Sequence, residues 1–220
     1  MKDFIEQPIA GNPFRLFGMK YAFDIKNRSV IISDLHLGKA SHFRKNGIPV
    51  PFDLAVENIS RLEKIIQTSQ PKEILILGDL FHSKMNLEWE NFKALRFHFS
   101  QINFTLIEGN HDTFNAIEYQ KANMNVYAFL ERDAIIYSHE PVKSTIFNIH
   151  GHIHPAVRLK GAAKQSLRMP CFFISNNKMT LPAFGSFTGK HTLQVKSNDA
   201  VFGIVDDKII DLKKPKKSNA

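Results

Sequence analysis

The sequence predicts an α/β fold in which two β-sheets pack face to face and helices lie outside them. Up to about residue 121, short apolar runs alternate with segments of helical periodicity, which is typical of parallel strands joined by right-handed crossovers. From Val126 onward the helical periodicity fades, and short strand-like runs follow one another. These later strands need a sheet of their own or an extension of the first one. A second sheet that faces the first is the economical packing.

The first half of the chain supplies the parallel part of this fold. Residues 1–12 are expected to be irregular, and the loose alternation from Phe14 to Phe23 predicts two short strands with a turn between them. Asp53 suits the N-cap of the first helix, and Pro71 ends that helix. The predicted strands that follow are Ser29–Ser33, Glu73–Leu77 and Asn103–Glu108, and the predicted helices are 53–69, Leu87–Ser100 and 114–121.

The second half is predicted to consist mostly of strands. They are Val126–Leu130, Ala134–Tyr137, Thr145–Ile149, Cys171–Ser175, Met179–Leu181, Ala200–Val205 and Ile209–Leu212. Asp206-Asp207 predicts a hairpin turn, although the usual glycine is missing. No stretch is long enough to be a linker, so residues 1–212 are expected to form one domain. Residues 213–220 are expected to be a disordered basic tail, with a nucleic-acid contact as the alternative.

Composition restricts the class of protein. The 220 residues carry a formal net charge of +8, and a basic protein attracts polyanions through a long-range, salt-sensitive field. No window approaches the roughly 18 apolar residues of a membrane-spanning helix, and the N-terminus lacks the features of a signal peptide. Cys171 is the only cysteine, which excludes an intrachain disulfide. We therefore expect no membrane contact and a cytoplasmic location.

Five fragments with metal-ligating side chains stand at or near the ends of predicted strands. They are Asp34-Leu35-His36, Gly78-Asp79, Gly109-Asn110-His111-Asp112, Ser138-His139 and Gly151-His152-Ile153-His154. Each fragment alone could be an ordinary turn. In sheets of this kind, however, sites gather at the carboxyl ends of strands, so that the five fragments together predict one shared site. His152 and His154 are two residues apart and point the same way on an extended segment, and His150 is expected to face away from that pair and to pack.

The pooled side chains predict a site for two metal ions. One ion takes about four to six ligands. The eight candidates are too many for that: Asp34, His36, Asp79, Asn110, His111, His139, His152 and His154. Asp79 follows the central one of three strands, and its two oxygens suit a bridge between both ions. Two ions roughly 3.5–4 Å apart polarise a phosphoryl oxygen and lower the pKa of a shared water, whose hydroxide can attack phosphorus in line. Imidazoles with oxygen ligands and no thiolate favour manganese, with iron or zinc as alternatives and magnesium less favoured.

The five fragments, in this order, resemble the five motifs of the calcineurin-like metallophosphoesterases. The resemblance implies a four-layer αββα sandwich of two mixed β-sheets flanked by helices. It also implies two ligand sets, which are Asp34, His36, Asp79 and His154 for one ion, and Asp79, Asn110, His139 and His152 for the other. His111 would then be a catalytic residue that stabilises the transition state or protonates the leaving oxygen. Asp112 would orient His111.

A narrower resemblance concerns the substrate. Three stretches resemble the bacterial ligase-associated DNA damage response endonucleases: Ser33-Asp34-Leu35-His36-Leu37-Gly38-Lys39-Ala40, Phe43-Arg44 with Gly47, and Leu181-Pro182-Ala183-Phe184-Gly185 with Thr188-Gly189. One departure is Lys190, where a glycine is usual. The resemblance implies DNA as the phosphodiester substrate and DNA-repair proteins as partners. Lys39 and Arg44 would contact phosphates beside the scissile one or form an exposed basic loop, and His82 would line the site or face solvent.

Three functions are open on the sequence alone. The first is a two-metal nuclease that cleaves phosphodiesters in DNA. The second keeps the metals and changes the substrate to a small molecule, such as a nucleotide or a phosphomonoester. The third is a non-catalytic scaffold, although such relatives usually lose a ligand or the histidine of Asn-His-Asp, and each of these residues is present here. The oligomeric state stays open.

Overall fold

Two β-sheets face each other, and three helices lie on the outer side of the first sheet. The computed structural model describes residues 1–39, 43, 47, 53–81, 87–160, 165–186 and 188–212. The helices in these ranges are α1 (Asp53–Ser69), α2 (Leu87–His98) and α3 (Ala116–Lys121). None of the three is long and apolar enough to cross a membrane. The predicted basic tail, residues 213–220, lies outside the described residues.

The first sheet has seven strands that follow the order of the chain. They are β1 (Phe4–Ile9), β2 (Asn12–Phe17), β3 (Tyr21–Asp24), β4 (Ser29–Ile32), β5 (Glu73–Leu77), β6 (Asn103–Ile107) and β7 (Met124–Tyr127). Pairing is antiparallel from β1 to β4 and parallel from β4 to β7. The parallel strands β4 to β6 are apolar because helices cover one of their faces and the second sheet covers the other. Their carboxyl ends meet at one edge of the sheet.

The second sheet contains the remaining nine strands. They are β8 (Leu130–Arg132), β9 (Ile135–Ser138), β10 (Phe147–His150), β11 (Pro155–Lys160), β12 (Ser166–Ser175), β13 (Lys178–Thr180), β14 (His191–Thr192), β15 (Ala200–Val205) and β16 (Lys208–Asp211). The order is β14-β11-β12-β13-β10-β9-β8, and β15 pairs with β12 and β16. Because β9, β10 and β13 are parallel, their carboxyl ends also share an edge.

Three apolar cores hold the layers together. The core between the sheets joins strands of both, including Leu75 and Phe172. A second core lies between the first sheet and all three helices, and Leu62, Phe92 and Tyr119 are its helix residues with the least exposure. A third core, on the outer face of the second sheet, contains Val157, Met169, Cys171, Phe173 and Val201.

The predicted α/β sandwich of two mixed β-sheets flanked by helices is confirmed. On the outer face of the second sheet, no helix among the described residues contributes to the core. Leu193, Val195 and Leu212 pack against it instead. The reason lies in the sequence, because the chain after α3 contains no segment of helical periodicity.

Most predicted elements coincide with observed ones. α1 and β5 have the predicted bounds. The expectation that residues 1–12 are irregular is wrong, because this range contains the edge strand β1. β11 and the first half of β12 are not predicted, since Pro155 and Pro170 argue against strands there. Asp206 and Asp207 form the predicted turn with φ of 48° and 56°, the left-handed conformation that a type I′ hairpin requires.

Phe172 provides a test of the core between the sheets. Its side chain is fully buried, so that Phe172→Ala should lower the free energy of unfolding by about 3–5 kcal/mol. Phe97, on α2, is 48% exposed and is the matched control, for which the loss should stay below roughly 1 kcal/mol. Urea unfolding followed by circular dichroism measures both. Equal losses for the two variants would contradict this placement of the core.

Candidate metal centre

The strands of both sheets bring their carboxyl ends to one place. β4, β5 and β6 are followed by Asp34, Asp79 and Asn110, and β9 and β10 are followed by His139 and His152. A hydrogen bond joins the two sheets here, since the backbone amide of His152 lies 3.2 and 3.1 Å from the two carboxylate oxygens of Asp34 and donates to them. The fragments that the sequence predicts to share a site therefore lie together.

The donor atoms form two clusters. Within each cluster the candidate ligand atoms all lie within 4.8 Å of one another. The first cluster consists of Asp34, His36 and His154, and the second consists of Asp79, His139 and His152. Asn110 adjoins the second cluster, because its Oδ1 lies 3.1 Å from Nε2 of His139.

The carboxylate of Asp79 faces both clusters. Its Oδ2 lies 3.7 Å from Nε2 of His36, and its Oδ1 lies 3.4 Å from Nε2 of His139. The Oδ1 atom also accepts a hydrogen bond from the backbone amide of His111 at 3.0 Å. One buried carboxylate with its two oxygens directed to different clusters has the arrangement of a bridging ligand.

The hydrogen bond of His139 Nδ1 determines whether Nε2 of the same ring can act as a metal ligand. Nδ1 lies 2.9 Å from the carbonyl oxygen of Leu77, so that Nδ1 carries the hydrogen and donates it. In the neutral ring Nε2 is then a lone-pair acceptor. That atom nevertheless faces Asn110 Oδ1 and lies 3.1 Å from Nδ1 of His152. The ligand atoms of His139, His152 and Asn110 thus lie close together, as the ligands of one cation do.

His154 repeats this pattern in the first cluster. Its Nδ1 donates to the carbonyl oxygen of Gly189 at 3.1 Å, and its Nε2 lies 3.1 Å from Oδ1 of Asp34. Two acceptors at this distance need positive charge between them, either a second ring proton or a metal ion. Imidazole nitrogens combined with carboxylate and carboxamide oxygens fit a divalent transition metal.

The turns that carry these side chains have an unusual backbone. Five donor residues have positive φ: Asp34 (56°), His36 (49°), Asp79 (51°), His152 (65°) and His154 (51°). Residues other than glycine seldom adopt this conformation, although aspartate and histidine adopt it more readily than most. A left-handed conformation costs on the order of 1 kcal/mol or more per non-glycine residue, and such residues are concentrated at functional sites.

A match to a family model decides what kind of protein this centre belongs to. The model of the calcineurin-like phosphoesterases matches residues 28–174, a range that includes every donor residue named above. The chain belongs to the calcineurin-like phosphoesterase family. It is accordingly a metal-dependent phosphoesterase, and its two clusters imply two divalent ions. The non-catalytic scaffold is thereby set aside.

A solved structure with a TM-score of 0.80 has the same fold. The crystal structure of the nuclease MPE from Pseudomonas putida matches with 22% identity and a TM-score of 0.80, over 95% of this chain and 100% of that one. The phosphoesterase Yfce from E. coli matches with 11% identity and a TM-score of 0.42, over 82% of this chain and 90% of that one. The protein AQ665 from Aquifex aeolicus matches with 22% identity and a TM-score of 0.40, over 57% and 78%. None of the curated protein sequences matches the chain.

In this phosphoesterase the turn after β6 carries His111 and Asp112. His111 is exposed at the rim of the centre, with its ring centroid 5.8 Å from that of His36. The buried carboxylate of Asp112 accepts hydrogen bonds from the amides of Gly109 at 2.9 Å and Phe81 at 3.2 Å. Burial raises the pKa of Asp112 to about 6, against the effect of these two bonds. Asp112 thus fixes the turn that presents His111, and a direct contact between the two side chains stays a prediction.

Burial and pairing set two other charge states near the centre. Burial acts to raise the pKa of Asp34, but the hydrogen bond to His154 and the charges of His154 and His139 outweigh it, so that this pKa is lowered. His150 is buried beside the cluster and lies 3.1 Å from the hydroxyl of Thr180. Burial lowers the pKa of His150 to about 4, which keeps the ring neutral. The expectation that His150 packs is confirmed.

The predicted substrate contacts have different outcomes. Lys39 follows the first-cluster turn, and burial lowers the pKa of its amine while the charges of Asp79 and Asp34 act to raise it. Arg44 and His82 lie outside the described residues, so their roles stay predictions.

Several residues that hold the loops of the centre are not found from the sequence. The carboxylate of Glu88, on α2, accepts a hydrogen bond from the amide of Gly38 at 2.6 Å. Arg61, on α1, donates a hydrogen bond to the carbonyl oxygen of Phe184. Both look like ordinary polar helix residues in the sequence, and only the packing of the helices shows their role.

The sequence also gives no sign of a cavity of about 590 Å³ beside the second cluster. Its lining includes Asn110 and His139 of the second cluster together with Phe129, Val142 and Lys143. Phe129 is 59% exposed. The volume lies within the range of small-molecule sites, and an exposed aromatic ring in the lining can stack on a planar group.

Gly78 provides a test of the second cluster. It has φ +74°, and a methyl group at its Cα would overlap the ring of His139. Gly78→Ala should therefore displace His139 and weaken metal affinity by about tenfold to a hundredfold, the effect of disturbing a ligand's support. Gly11 is the matched control, because it has φ +79° and open space around it. Metal titration against a chelator measures both, and equal affinity in the two variants would contradict the role of His139.

Proposed function

We propose that this phosphoesterase is a nuclease that hydrolyses phosphodiester bonds in DNA. The observation that carries the proposal is the Asp79 carboxylate, whose two oxygens face separate donor clusters. A centre of two ions that share one carboxylate suits in-line displacement at phosphorus. The formal net charge of +8 and the likeness in fold to a nuclease support DNA as the substrate.

The two clusters and Asn110 support the ligand sets that the family resemblance implies. Asp34, His36, Asp79 and His154 would hold one ion, and Asp79, Asn110, His139 and His152 would hold the other. Manganese is the favoured metal, iron or zinc would also suit these ligands, and magnesium suits several imidazoles less well. The bound ions would supply Lewis acidity toward the phosphoryl oxygens and an acidic water as the nucleophile.

Residues of the chain complete the site around the phosphate. His111 stands at the rim, where its ring can donate a proton to the leaving oxygen or offset charge in the transition state. Asp112 holds the His111 turn through the amide of Gly109. The Lys39 amine attracts the phosphate, and Arg44 and His82 are proposed as further substrate contacts. DNA-repair proteins are the proposed partners, and the cytoplasm is the proposed compartment.

The cavity beside the second cluster favours a second candidate function. A small phosphoester, such as a nucleotide, could place its phosphate at the ions and its planar group in the cavity near Phe129 and Lys143. The same two ions and the same His111 would act on it. The two candidates differ in what lies beyond the reacting phosphate, and substrate preference separates them.

A panel of substrates tests the choice between these functions. We expect the manganese-loaded protein to hydrolyse bis-p-nitrophenyl phosphate and single-stranded DNA faster than p-nitrophenyl phosphate or free nucleotides. Removal of the metal with EDTA should abolish every activity, because both the nucleophile and the charge stabilisation depend on it. An Asp79→Ala preparation controls for contaminating nucleases. Activity confined to phosphomonoesters would exclude the nuclease.

Two substitutions separate metal binding from proton or charge transfer. His111→Ala should keep the metal content of the parent protein and lower kcat by about 10²–10⁴-fold, the contribution of a positioned acid–base group. Asp79→Ala should lose both metal and activity, because it removes the ligand that both clusters share. Elemental analysis and steady-state kinetics on bis-p-nitrophenyl phosphate measure the two effects. If His111→Ala also empties the site, the role proposed for His111 is wrong.

A further inference from the structure

A two-stranded ribbon leaves the metal centre directly after His154. It consists of β11 and the first half of β12, residues 155–160 and 166–170, and we call it the arginine ribbon. Phe173 of β12 lies opposite Thr180, at the carboxyl end of β13. Residues of β12 before Phe173 therefore extend beyond the edge at which the donor clusters lie. Arg168 is five residues further along, which corresponds to about 16 Å at ~3.3 Å per residue.

The two arginines of the ribbon form a cross-strand pair on one face. Arg158 lies directly opposite Arg168 in the antiparallel register. Side chains alternate between faces along a strand, so Arg168 is on the same face as Phe172, which packs between the two sheets. The arginine face is thus the continuation of the face that looks toward the first sheet and its metal-bearing turns.

The other face of the ribbon is apolar. Leu159 lies opposite Leu167, and the two side chains are 41% and 50% exposed. They continue the face of Val157 and Met169, which belong to the outer core of the second sheet. The apolar pair therefore extends a packed face, and it leaves the opposite face of the ribbon to the two guanidinium groups.

Among the residues that the structure describes, no carboxylate forms an ion pair with either arginine of the ribbon. Both side chains are exposed, and like charges directly opposite each other destabilise a strand pair. Among the described residues, the ion pairs of arginine join Arg15 to Glu6 and Arg132 to Glu73, and none involves the ribbon. An anion bound between the two forks would turn this repulsion into two charge-assisted interactions. Guanidinium groups suit phosphate in particular because they bind its oxygens in bidentate fashion.

A further cation lies at the base of the ribbon. β14 pairs with the first residues of β11, and the His191 amide donates to the carbonyl oxygen of His154 at 2.9 Å. The exposed Lys190 precedes His191. Positive charge therefore continues from the metal ligand His154 to the outer part of the ribbon, which matches a chain of phosphates better than a single anion.

We propose that the arginine ribbon binds the sugar–phosphate backbone of a polynucleotide, on the His154 side of the scissile phosphate. This inference rests on the proposed nuclease function and identifies the surface that would hold a polymer. Arg158 and Arg168 contact phosphates without reading bases, so that the ribbon adds affinity for polynucleotide in general and no sequence preference.

A double substitution with a matched control tests the ribbon. Arg158→Ala/Arg168→Ala removes two positive charges, and so does Lys64→Ala/Lys72→Ala. Lys64 and Lys72 are exposed, and they lie toward the amino end of β5, opposite to Asp79. Binding is measured by the fluorescence anisotropy of a labelled, phosphorothioate-protected single strand. Its length of about 20 nucleotides exceeds the site size of typical single-strand grooves. This binding measurement does not depend on cleavage.

The expected result is specific to the ribbon. Loss of two phosphate contacts should lower affinity about tenfold and reduce the slope of log K against log salt by about 1.4, at ~0.7 per phosphate of a single strand. The lysine control should change both quantities much less. The ratio of oligonucleotide to bis-p-nitrophenyl phosphate hydrolysis should fall in the ribbon variant and stay constant in the control. Arg158→Lys/Arg168→Lys, which keeps the charges, should restore most of the slope and guards against misfolding of the alanine variant.

Three outcomes would overturn the proposal, and each has a different meaning. If the parent protein cleaves oligonucleotides and both double variants behave alike, the ribbon is not the binding surface while the nuclease function stands. If the parent protein hydrolyses bis-p-nitrophenyl phosphate but neither binds nor cleaves oligonucleotides, the substrate class itself is wrong. Binding of the ribbon to anionic vesicles or to polyglutamate in place of the oligonucleotide would assign it to a membrane or an acidic protein instead.

Discussion

The Asp79 carboxylate lies where both sheets and both donor clusters meet, and the geometry of the centre depends on how it is held. Its backbone is left-handed, its carbonyl oxygen accepts from the His36 amide at 2.9 Å, and its Oδ1 accepts from the His111 amide at 3.0 Å. The side chain is buried, and an ionised carboxylate away from water is costly unless positive charge and hydrogen bonds surround it. The imidazoles of both clusters, and the cations that they can bind, supply that environment.

This requirement links the metal to the stability of the fold. Five donor residues occupy left-handed backbone conformations, so the turns that carry them are strained, and their ligand atoms lie close together. Ions that bind only the folded state would stabilise it by mass action, and they would offset the negative charge of the carboxylates in the two clusters. The cores between the layers are apolar, and their packing lets the rest of the structure hold the turns in place.

Local rules explain how much of this could be predicted from the sequence. α1 could be predicted from the helical spacing of apolar residues between Asp53 and Pro71. That the five fragments share one site could be predicted because parallel strands place sites at their carboxyl ends. The contacts of Glu88 and Arg61 with the loops could not be predicted, because they depend on how two helices pack. The arginine ribbon was hidden by Pro170, which argues against a strand although the residue pairs with Ala156 in the register of β12.

The two clusters have different surroundings, and this difference bears on the substrate. His154 of the first cluster leads directly into the arginine ribbon, whereas Asn110 and His139 of the second cluster line the cavity near Phe129. Two metal ions can serve the hydrolysis of either a phosphomonoester or a phosphodiester, so the ligand sets alone do not distinguish these substrates. A substrate that uses both the ribbon and the cavity must extend to both sides of the reacting phosphate. A phosphodiester within a polynucleotide meets that condition, because each side of its phosphate carries a further nucleotide, and a phosphomonoester does not.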